Sequence, residues 1–343
     1  MLFRLDLMHI FSRLASLKPY NLGDSISDTG NLIQEDPASV FSRFPYGQNL
    51  YVNPTGRCSN GLLIIDFIAK SAGVPLLNAY LTNSTKTHGV NFAVAGSTAL
   101  PVEVLAEKGV ISPVTNSSLT VQLNWMHAHF NTTCTSPKKI SLHGWGDWRQ
   151  RLNYAFFQGK TIDDLKTMVP DVVKAIKDAV VRVIGFGHSN YCPRKFSNWL
   201  HAIYLTGFHS NDSNAYDEFH CLKELNNFSM YHNEQLQQAI KELQEDHSNV
   251  TIVYGDYYNA YKWILWKAAL LGFDPKSLQK ACCGSGGDYD FSLARMCGAP
   301  NVPVCPKPGE RISWDGVHST EKAYFFMAGW LISDIFQKLQ CIA

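Results

Sequence analysis

The chain has 343 residues, of which 45% are hydrophobic and 17% charged, and its formal net charge is +1. This length and composition allow a large buried core and favour one α/β domain over two small ones. The nearly balanced charge gives no electrostatic reason to expect nucleic acid or an anionic membrane surface as a partner. No apolar run reaches the roughly 18 residues that a transmembrane helix requires.

Apolar, strand-like runs alternate with helical patterns along the chain. The alternation predicts a parallel sheet covered by helices on both faces. We expect Pro170 in the first turn of its helix and Phe325 on the buried face of the last helix. In chain order, the predicted elements are a strand at 17–22, helices at 62–72 and 170–181, a strand at 250–254, and helices at 257–271 and 321–339.

Two short motifs at opposite ends of the chain hold the residue types of nucleophilic catalysis. Ser25 ends a Gly-Asp-Ser sequence, and Asp315 stands three positions before His318. A serine hydroxyl attacks only when a base takes its proton, and an imidazole serves as that base when a carboxylate holds its tautomer. Taken alone, the first motif also fits an ordinary turn before a helix that begins near residues 27–28, and the second also fits a surface loop.

Four longer segments fall in the order and spacing of a known family. They are DSISDTGN at 24–31, TGRCSNG at 55–61, GVNFAVAGS at 89–97 and SWDGVH at 313–318. Together they resemble the plant GDSL esterase/lipase family, a branch of the SGNH hydrolases, and within it the acetylajmalan-esterase-like members. We expect residues 20–343 to form a single hydrolase domain. Because the family is secreted, we interpret the irregular, charged segment 1–19 as a truncated or misassigned signal region.

The resemblance implies a flavodoxin-like, three-layer α/β/α sandwich with a central parallel sheet and an active site at the carboxyl ends of the strands. It implies hydrolysis of carboxylic esters through an acyl-enzyme on Ser25, with His318 as the base and Asp315 as the carboxylate that orients it. The backbone N–H groups of Ser25 and Gly96 would hold the oxyanion. The implied substrate is a small-molecule ester, and no cofactor is implied.

Two features of the sequence suggest a metal site and a phosphate-binding loop, but the spacing of their residues disfavours both. His127 and His129 are two positions apart and would point away from each other on a helix, and the nine cysteines lack the C-x-x-C pairs of a zinc site, so we expect no metal. The sequence GSGG at 284–287 follows Cys282 and Cys283 but lacks the lysine of a phosphate-binding loop. We expect this loop to be held by disulfides, with one of the nine cysteines unpaired.

Six sequons for N-glycosylation point to the secretory route. Their asparagines are Asn83, Asn116, Asn131, Asn211, Asn227 and Asn249. Together with the resemblance, they predict a secreted or vacuolar protein. The acyl chain, the alcohol of the ester and the oligomeric state stay open.

Two segments depart from the family pattern. Family members carry Gly-Asn-Asp before a stretch like 153–159, and the side chain of that asparagine is a further oxyanion donor; here residues 143–152 read HGWGDWRQRL, with Gln150 at the asparagine position. Residues 188–202 place polar and charged side chains where a buried strand is expected, which predicts a lost or strained central strand. The two segments predict impaired catalysis. A catalytically silent secreted glycoprotein and an acyltransferase with the same triad remain as alternatives.

A compensated frameshift in each segment is our hypothesis for these departures. One back-translation of residues 143–152, read one base later, encodes MVGEIGGND, and the same treatment of 188–202 gives TRIIVPGNFPIGCMP, both of which resemble the family. We therefore expect a neighbouring insertion or deletion, relative to close relatives, at each segment. Sequencing the transcript across both segments tests this, and a read that confirms the written codons without such changes contradicts the hypothesis.

Overall fold

The computed structural model describes residues 18–50, 53–133, 140–144, 150–186, 190–193 and 201–340, without the side chains of 133, 140–144, 150–152, 190–193 and 339–340. Within these ranges, five strands form one parallel sheet in the order β2-β1-β3-β4-β5. The strands are β1 (Lys18–Leu22), β2 (Val90–Asn91), β3 (Ile140–Gly144), β4 (Asn190–Pro193) and β5 (Thr251–Ile252). The prediction of an α/β chain with a parallel sheet is confirmed.

Ten α-helices accompany the sheet in the described ranges. In chain order they are α1 (Leu32–Glu35), α2 (Ile64–Ser71), α3 (Val102–Glu107), α4 (Leu119–Thr133), α5 (Gln150–Phe157), α6 (Ile162–Gly185), α7 (Ala202–Gly207), α8 (Lys223–Asp246), α9 (Tyr257–Trp266) and α10 (Glu321–Gln340). Seven of them form two packed groups, because α6 packs against α4, α5 and α8, while α10 packs against α2 and α9. A single hydrophobic cluster contains buried side chains from both groups and from β1.

The first two strands bring two of the predicted motifs to the same edge of the sheet. Asn21 pairs in register with Asn91, so the segments that leave the carboxyl ends of β1 and β2 start side by side, where open α/β sheets bind ligands. The strands approach closely at Gly89, where a Cβ atom would lie 2.1 Å from the carbonyl oxygen of Pro19. The predicted first strand is therefore confirmed, and it positions the Gly-Asp-Ser motif.

Helix α6 begins at Ile162, so the prediction that Pro170 lies in a first turn is wrong. Thr161 starts the helix with a capping box: its Oγ1 accepts the N–H of Asp164 at 3.1 Å, and the Asp164 carboxylate accepts the N–H of Thr161 at 2.9 Å. A proline inside a helix removes one hydrogen bond. The buried apolar face of α6 continues on both sides of Pro170, and this packing carries the helix through the proline.

The helix after β1 begins at Leu32 rather than near residues 27–28, so that prediction is also wrong. Asp28 was expected to start the helix, but its carboxylate accepts the N–H groups of Gly30, Asn31 and Leu32 at 2.7, 2.6 and 3.0 Å. These bonds stabilise an irregular turn before α1. Ser25 therefore lies in a turn that is separated from the helix by this carboxylate.

The buried face of α10 does not include Phe325, which was predicted to lie on it. Tyr324, Met327 and Leu331 are buried, whereas Phe325 is 53% exposed. The Phe325 ring packs edge-on against Phe67 of α2, with 5.4 Å between ring centroids. The prediction that Phe325 lies in the core is therefore wrong, because its ring contacts Phe67 and Phe326 but stays 53% exposed.

Strand β4 is present, although the altered segment 188–202 was expected to lose or strain it. Asn190 and Tyr191 pair with β3 on one side and with β5 on the other. A sheet ladder is made by backbone N–H and C=O groups, which every residue except proline provides in full. Pro193, which lacks an N–H, is the last residue of the strand. The expectation of a lost strand was wrong because it weighed side chains and neglected the backbone, while the expected strain stays a prediction, since the side chains of this strand lie outside the described residues.

Two disulfides hold the glycine-rich loop, which confirms the prediction for that loop. They join Cys282 to Cys305 and Cys283 to Cys297. The two adjacent half-cystines thus fasten the loop to two later points of the chain.

Two cysteines are buried free thiols, so the expectation of one unpaired cysteine is wrong. They are Cys58 and Cys221. A buried thiol packs as a small apolar group, and Cys58 lies in a cluster with Leu32 and Val94. The side chains of Cys134, Cys192 and Cys341 lie outside the described residues.

Candidate active site

Asp315 and His318 form a buried, hydrogen-bonded pair in the loop before α10. Asp315 Oδ2 accepts the Nδ1–H of His318 at 2.7 Å, and Oδ1 accepts the backbone N–H groups of Val317 and His318 at 2.9 and 2.7 Å. The bond at Nδ1 leaves the lone pair of the imidazole on Nε2. Nε2 is buried and has no hydrogen-bond partner within the described part of the chain, so it is available to take a proton.

The Asp315 carboxylate is charged at neutral pH. Burial acts to raise the pKa of Asp315, but the charge of His318, the ring hydrogen bond and the two backbone N–H donors outweigh burial and hold this pKa below its ordinary value. A carboxylate that stays ionised stabilises the imidazolium that forms when Nε2 accepts a proton.

Tyr46 provides a second hydrogen bond to the same carboxylate oxygen. Its hydroxyl donates to Asp315 Oδ2 at 2.8 Å. The side chain is buried, with its ring edge-on to Phe41 and Trp314 at centroid distances of 4.9 and 6.4 Å. Burial, and then the Asp315 charge, raise the pKa of Tyr46, so the hydroxyl keeps its proton. The phenol therefore fixes the orientation of the carboxylate that orients His318.

The disulfide-held loop supports the loop that carries the acid–base pair. The backbone N–H groups of Cys282 and Cys283 both donate to the carbonyl oxygen of Trp314, at 2.9 and 2.6 Å. Trp314 in turn donates its N–H to the carbonyl oxygen of His318 at 2.7 Å, which closes the loop on itself. The residue before Asp315 is thus anchored from two sides.

Ser25 lies in the turn at the carboxyl end of β1 and is 4% exposed. The carbonyl oxygen of Asp24 accepts the N–H groups of Ser27 and Asp28 at 3.1 and 2.9 Å, which gives a tight turn around Ser25. The N–H of Ser25 has no acceptor within the described residues. This donor is therefore free to bind a ligand.

Gly96 lies in the turn that follows β2. Its φ of +84° favours glycine, and a Cβ atom there would lie 2.5 Å from the side chain of Val114. Its carbonyl oxygen accepts the hydroxyl of Tyr154 from α5 at 3.0 Å, while its N–H has no acceptor in the part of the chain that the structure describes. Ser25 and Gly96 thus supply two unused backbone donors on neighbouring turns.

Buried polar side chains join these two turns. Asp28 Oδ2 accepts the N–H of Ala95 at 2.8 Å, directly before Gly96. Asn31 Nδ2 donates to the carbonyl oxygen of Ala93 at 2.8 Å. The residues quoted as motifs from the sequence therefore bond to one another across the strand edge.

Phe41 connects the turn after β2 with the acid–base loop. Its ring packs edge-on against His318, with 5.8 Å between ring centroids. The same side chain packs against the cluster that contains Val94 and Ala95. This phenylalanine therefore bridges the turn after β2 and the loop before α10.

The thiol of Cys58 lies among carboxylates from both ends of the chain. Burial, followed by the charges of Asp28, Asp315 and Asp24, raises the pKa of Cys58. The charges of Asp24, which precedes Ser25, and of Asp315, which bonds to His318, thus both act on this one buried thiol.

The predicted site residues occupy different elements. Ser25 and Gly96 lie in turns at the carboxyl edge of the sheet, and Asp315 and His318 lie in the loop before α10. Gln150 is the first residue of α5, and its side chain lies outside the described residues. Its role as a donor stays a prediction.

All six predicted glycosylation asparagines are exposed. Two of them lie in helices rather than in loops: Asn131 in α4 and Asn227 in α8. The other four lie outside the helices and strands, and they are Asn83, Asn116, Asn211 and Asn249.

Within the described residues, no group of three or more His, Cys, Asp or Glu side chains could hold a metal ion. His127 instead stacks on Phe186 at a centroid distance of 5.1 Å, and His129 lies among aromatic rings that include Tyr20. In the same residues, no helix is both long and apolar enough to cross a bilayer.

Two side chains at the site, Tyr46 and Gln122, were not predicted from the sequence. Nothing near Tyr46 indicates a contact with the far end of the chain. Gln122 stands among Leu119, Leu123 and Met126, which share one buried face of α4. A single polar residue in an apolar stripe was the available signal for Gln122.

Comparison with known proteins gives a family and several relatives. The sequence profile described as GDSL-like Lipase/Acylhydrolase matches residues 20–129 and 138–331. The chain is 40% identical to acetylajmalan esterase of Rauvolfia serpentina over 336 residues, which cover 94% of this chain and 86% of that protein. It is 39% identical to sinapine esterase of Brassica napus over 330 residues, or 91% and 84% of the two chains. It is 41% identical to a GDSL esterase/lipase of Arabidopsis thaliana over 322 residues, or 90% and 82%.

We expect Tyr46→Phe to lower kcat for a p-nitrophenyl ester about tenfold and to leave KM nearly unchanged, because a hydrogen bond to a charged group contributes about 1.5–3 kcal/mol. Steady-state kinetics and thermal unfolding are the measurements. Tyr216→Phe is the matched control, since the Tyr216 hydroxyl also bonds in the interior, to the backbone of Ser210. A Tyr46→Phe variant that loses only thermal stability and keeps the parent kcat contradicts the orienting role.

Proposed function

Because the chain belongs to the GDSL-like lipase/acylhydrolase family and is a carboxylic ester hydrolase, we propose that Ser25, His318 and Asp315 carry out the hydrolysis. The main support is the buried His318, whose Nδ1 is bonded to Asp315 at 2.7 Å while Nε2 has no partner within the described residues. An imidazole held in this way can act as a general base and take the proton of the serine hydroxyl.

The first half-reaction forms the acyl-enzyme. Ser25 Oγ attacks the carbonyl carbon of the ester while His318 Nε2 takes the hydroxyl proton. The tetrahedral oxyanion accepts hydrogen bonds from the N–H groups of Ser25 and Gly96. When the intermediate collapses, the bond to the alcohol oxygen breaks and the alcohol leaves with the proton from Nε2.

The second half-reaction releases the acid. Water attacks the acyl carbon and gives a proton to His318 Nε2, the bond to Ser25 Oγ breaks, and the proton returns to that oxygen. Neither half-reaction requires a cofactor. Acyl transfer uses the same acyl-enzyme with an alcohol in place of water, so it remains an alternative outcome of this chemistry.

A small-molecule ester is the substrate that we propose. Two relatives are named as esterases of acetylajmalan and of sinapine. Near the site, Phe41 beside His318 and Val114 beside Gly96 provide apolar surface. Such surface suits the apolar part of a small ester, while the backbone donors suit its carbonyl group.

The proposal extends to architecture and location. The helix groups around α6 and α10 support a three-layer α/β/α sandwich, of the flavodoxin-like SGNH hydrolase kind, as one domain over residues 20–343. The exposed sequon asparagines and the two disulfides support passage through the secretory pathway.

The altered residues 143–152 favour a second candidate, a catalytically silent secreted glycoprotein of the same fold. The family's asparagine is replaced by Gln150 in this segment. Loss of one preorganised oxyanion donor lowers turnover by about 10²–10³ in other serine hydrolases. An intermediate outcome is an enzyme that forms its acyl-enzyme slowly.

We expect Ser25→Ala and His318→Ala each to lower p-nitrophenyl ester turnover by about 10³-fold or more, because nucleophile and base act as a unit. A serine-directed fluorophosphonate should label the parent chain and not Ser25→Ala. Asp315→Asn should keep some activity. Parent-level turnover by Ser25→Ala would assign the activity to another site, and a folded parent chain that takes no label would favour the silent glycoprotein.

Replacing residues 148–151 by Gly-Gly-Asn-Asp tests the oxyanion defect. We expect this repair to raise turnover per folded molecule by up to about 10²–10³, because it restores a donor to the transition state. Repair of residues 188–202 is the matched control, and it should change the yield of folded protein rather than the rate. Circular dichroism and active-site titration separate the two effects. Equal turnover per titrated site before and after the first repair would show that the chain is not impaired.

A further inference from the structure

Gln122 contacts both of the turns that carry the proposed oxyanion donors. It lies on α4 and is completely buried, on the same face as Leu123 and Met126. A buried primary amide is destabilising unless its donors and acceptor are bonded. The hydrogen bonds of Gln122 must therefore offset the cost of burying its amide in this apolar stripe.

The side chain of Gln122 bonds to the backbone of Gly23 in two directions. Its Oε1 accepts the N–H of Gly23 at 2.9 Å, and its Nε2 donates to the carbonyl oxygen of Gly23 at 2.8 Å. Nε2 also donates to Ser97 Oγ at 2.8 Å. Ser97 Oγ in turn donates to the carbonyl oxygen of Ser117. The amide thus joins two backbone segments that are far apart in sequence.

These two segments flank the proposed oxyanion donors. Gly23 stands two positions before Ser25, and Ser97 directly follows Gly96. Two N–H groups bind one oxyanion strongly only when both point at the same position within a fraction of an ångström. We propose that Gln122 is a positioning residue that sets the separation of the Ser25 and Gly96 N–H groups. This inference rests on the proposed roles of Ser25 and Gly96.

Other bonds keep the two turns together when Gln122 is replaced. Val94 donates its N–H to the carbonyl oxygen of Gly23 at 3.1 Å, and Ala95 donates to Asp28 Oδ2 at 2.8 Å. Both bonds lie before Gly96 in the chain, whereas Gln122 bonds to Ser97 after it. Replacement of Gln122 should therefore alter the alignment of the donors more than the folding of the chain.

Two substitutions at Gln122 test the role. Gln122→Met keeps the length of the side chain and removes its hydrogen-bonding groups, and Gln122→Glu keeps an acceptor and removes the donors. Gln244→Met is the matched control, because Gln244 Nε2 also donates to a backbone carbonyl, that of Ile252, at 2.7 Å. The measurements are kcat and KM for p-nitrophenyl acetate per site titrated by fluorophosphonate, the inhibition constant of an aryl trifluoromethyl ketone, and thermal unfolding.

We expect each Gln122 variant to lose about tenfold or more in kcat per titrated site, with KM changed by less than about threefold. The trifluoromethyl ketone forms a tetrahedral oxyanion on the serine. Its inhibition constant should therefore rise by the same factor by which kcat/KM falls, because inhibitor and transition state use the same donors. A purely structural role does not produce this correlation. Gln244→Met should keep the parent values.

Parent-level kcat and inhibition in the titrated Gln122 variants would overturn the inference and leave the proposed function intact. If Gln122→Met gives no folded protein, Ser97→Ala decides in the same assays, because it removes one acceptor of Nε2. Parent values in Ser97→Ala would then overturn the inference. A parent chain that neither turns over the ester nor takes the label would overturn the proposed function, and this inference with it.

Discussion

The proposed catalytic edge of the molecule depends on one buried carboxylate, that of Asp28. It accepts four backbone N–H groups, at 2.7, 2.6, 3.0 and 2.8 Å, from Gly30, Asn31, Leu32 and Ala95. Burial raises the pKa of Asp28 to about 6, against the opposing effect of these bonds. At neutral pH the carboxylate is ionised, and it fastens the turn after β1 to the segment before Gly96. The contacts that Phe41 and Gln122 make with these two segments depend on the Asp28 carboxylate, which holds the segments together.

The features that the sequence predicted are set by neighbours in the chain. Asp315 and His318 are three positions apart, so a single loop suffices to pair them, and the motif indicated the pair directly. The starts of α9 and α10 follow from apolar residues at helical spacing. The first strand had a weaker signal, because residues 17–22 had to serve as a strand although Pro19 lies within them. Interactions between residues that are close in sequence form in almost any tertiary arrangement, so they can be predicted without knowing the fold.

The features that the sequence did not predict involve partners that are distant in the chain. Tyr46 donates to a carboxylate 269 positions later, and Gln122 bonds to a glycine 99 positions earlier. The residues next to Tyr46 and Gln122 in the sequence do not indicate which distant group each side chain contacts. Pro170 was misplaced because the capping box at Thr161 starts the helix earlier and packing tolerates the proline. Strand β4 was expected to be lost because of its polar and charged side chains, but backbone pairing with β3 and β5 forms it.

The two parts of the proposed catalytic site are held in different ways. The N–H groups of Cys282 and Cys283 donate to the carbonyl oxygen of Trp314, close to the proposed base, whereas the turn at 23–31 that carries Ser25 contains no cysteine. A disulfide typically stabilises a fold by about 2–4 kcal/mol, and it persists only in an oxidising compartment. The loop that carries His318 therefore depends on oxidised cysteines for part of its stability, whereas the turn that carries Ser25 is held by hydrogen bonds such as those to Asp28.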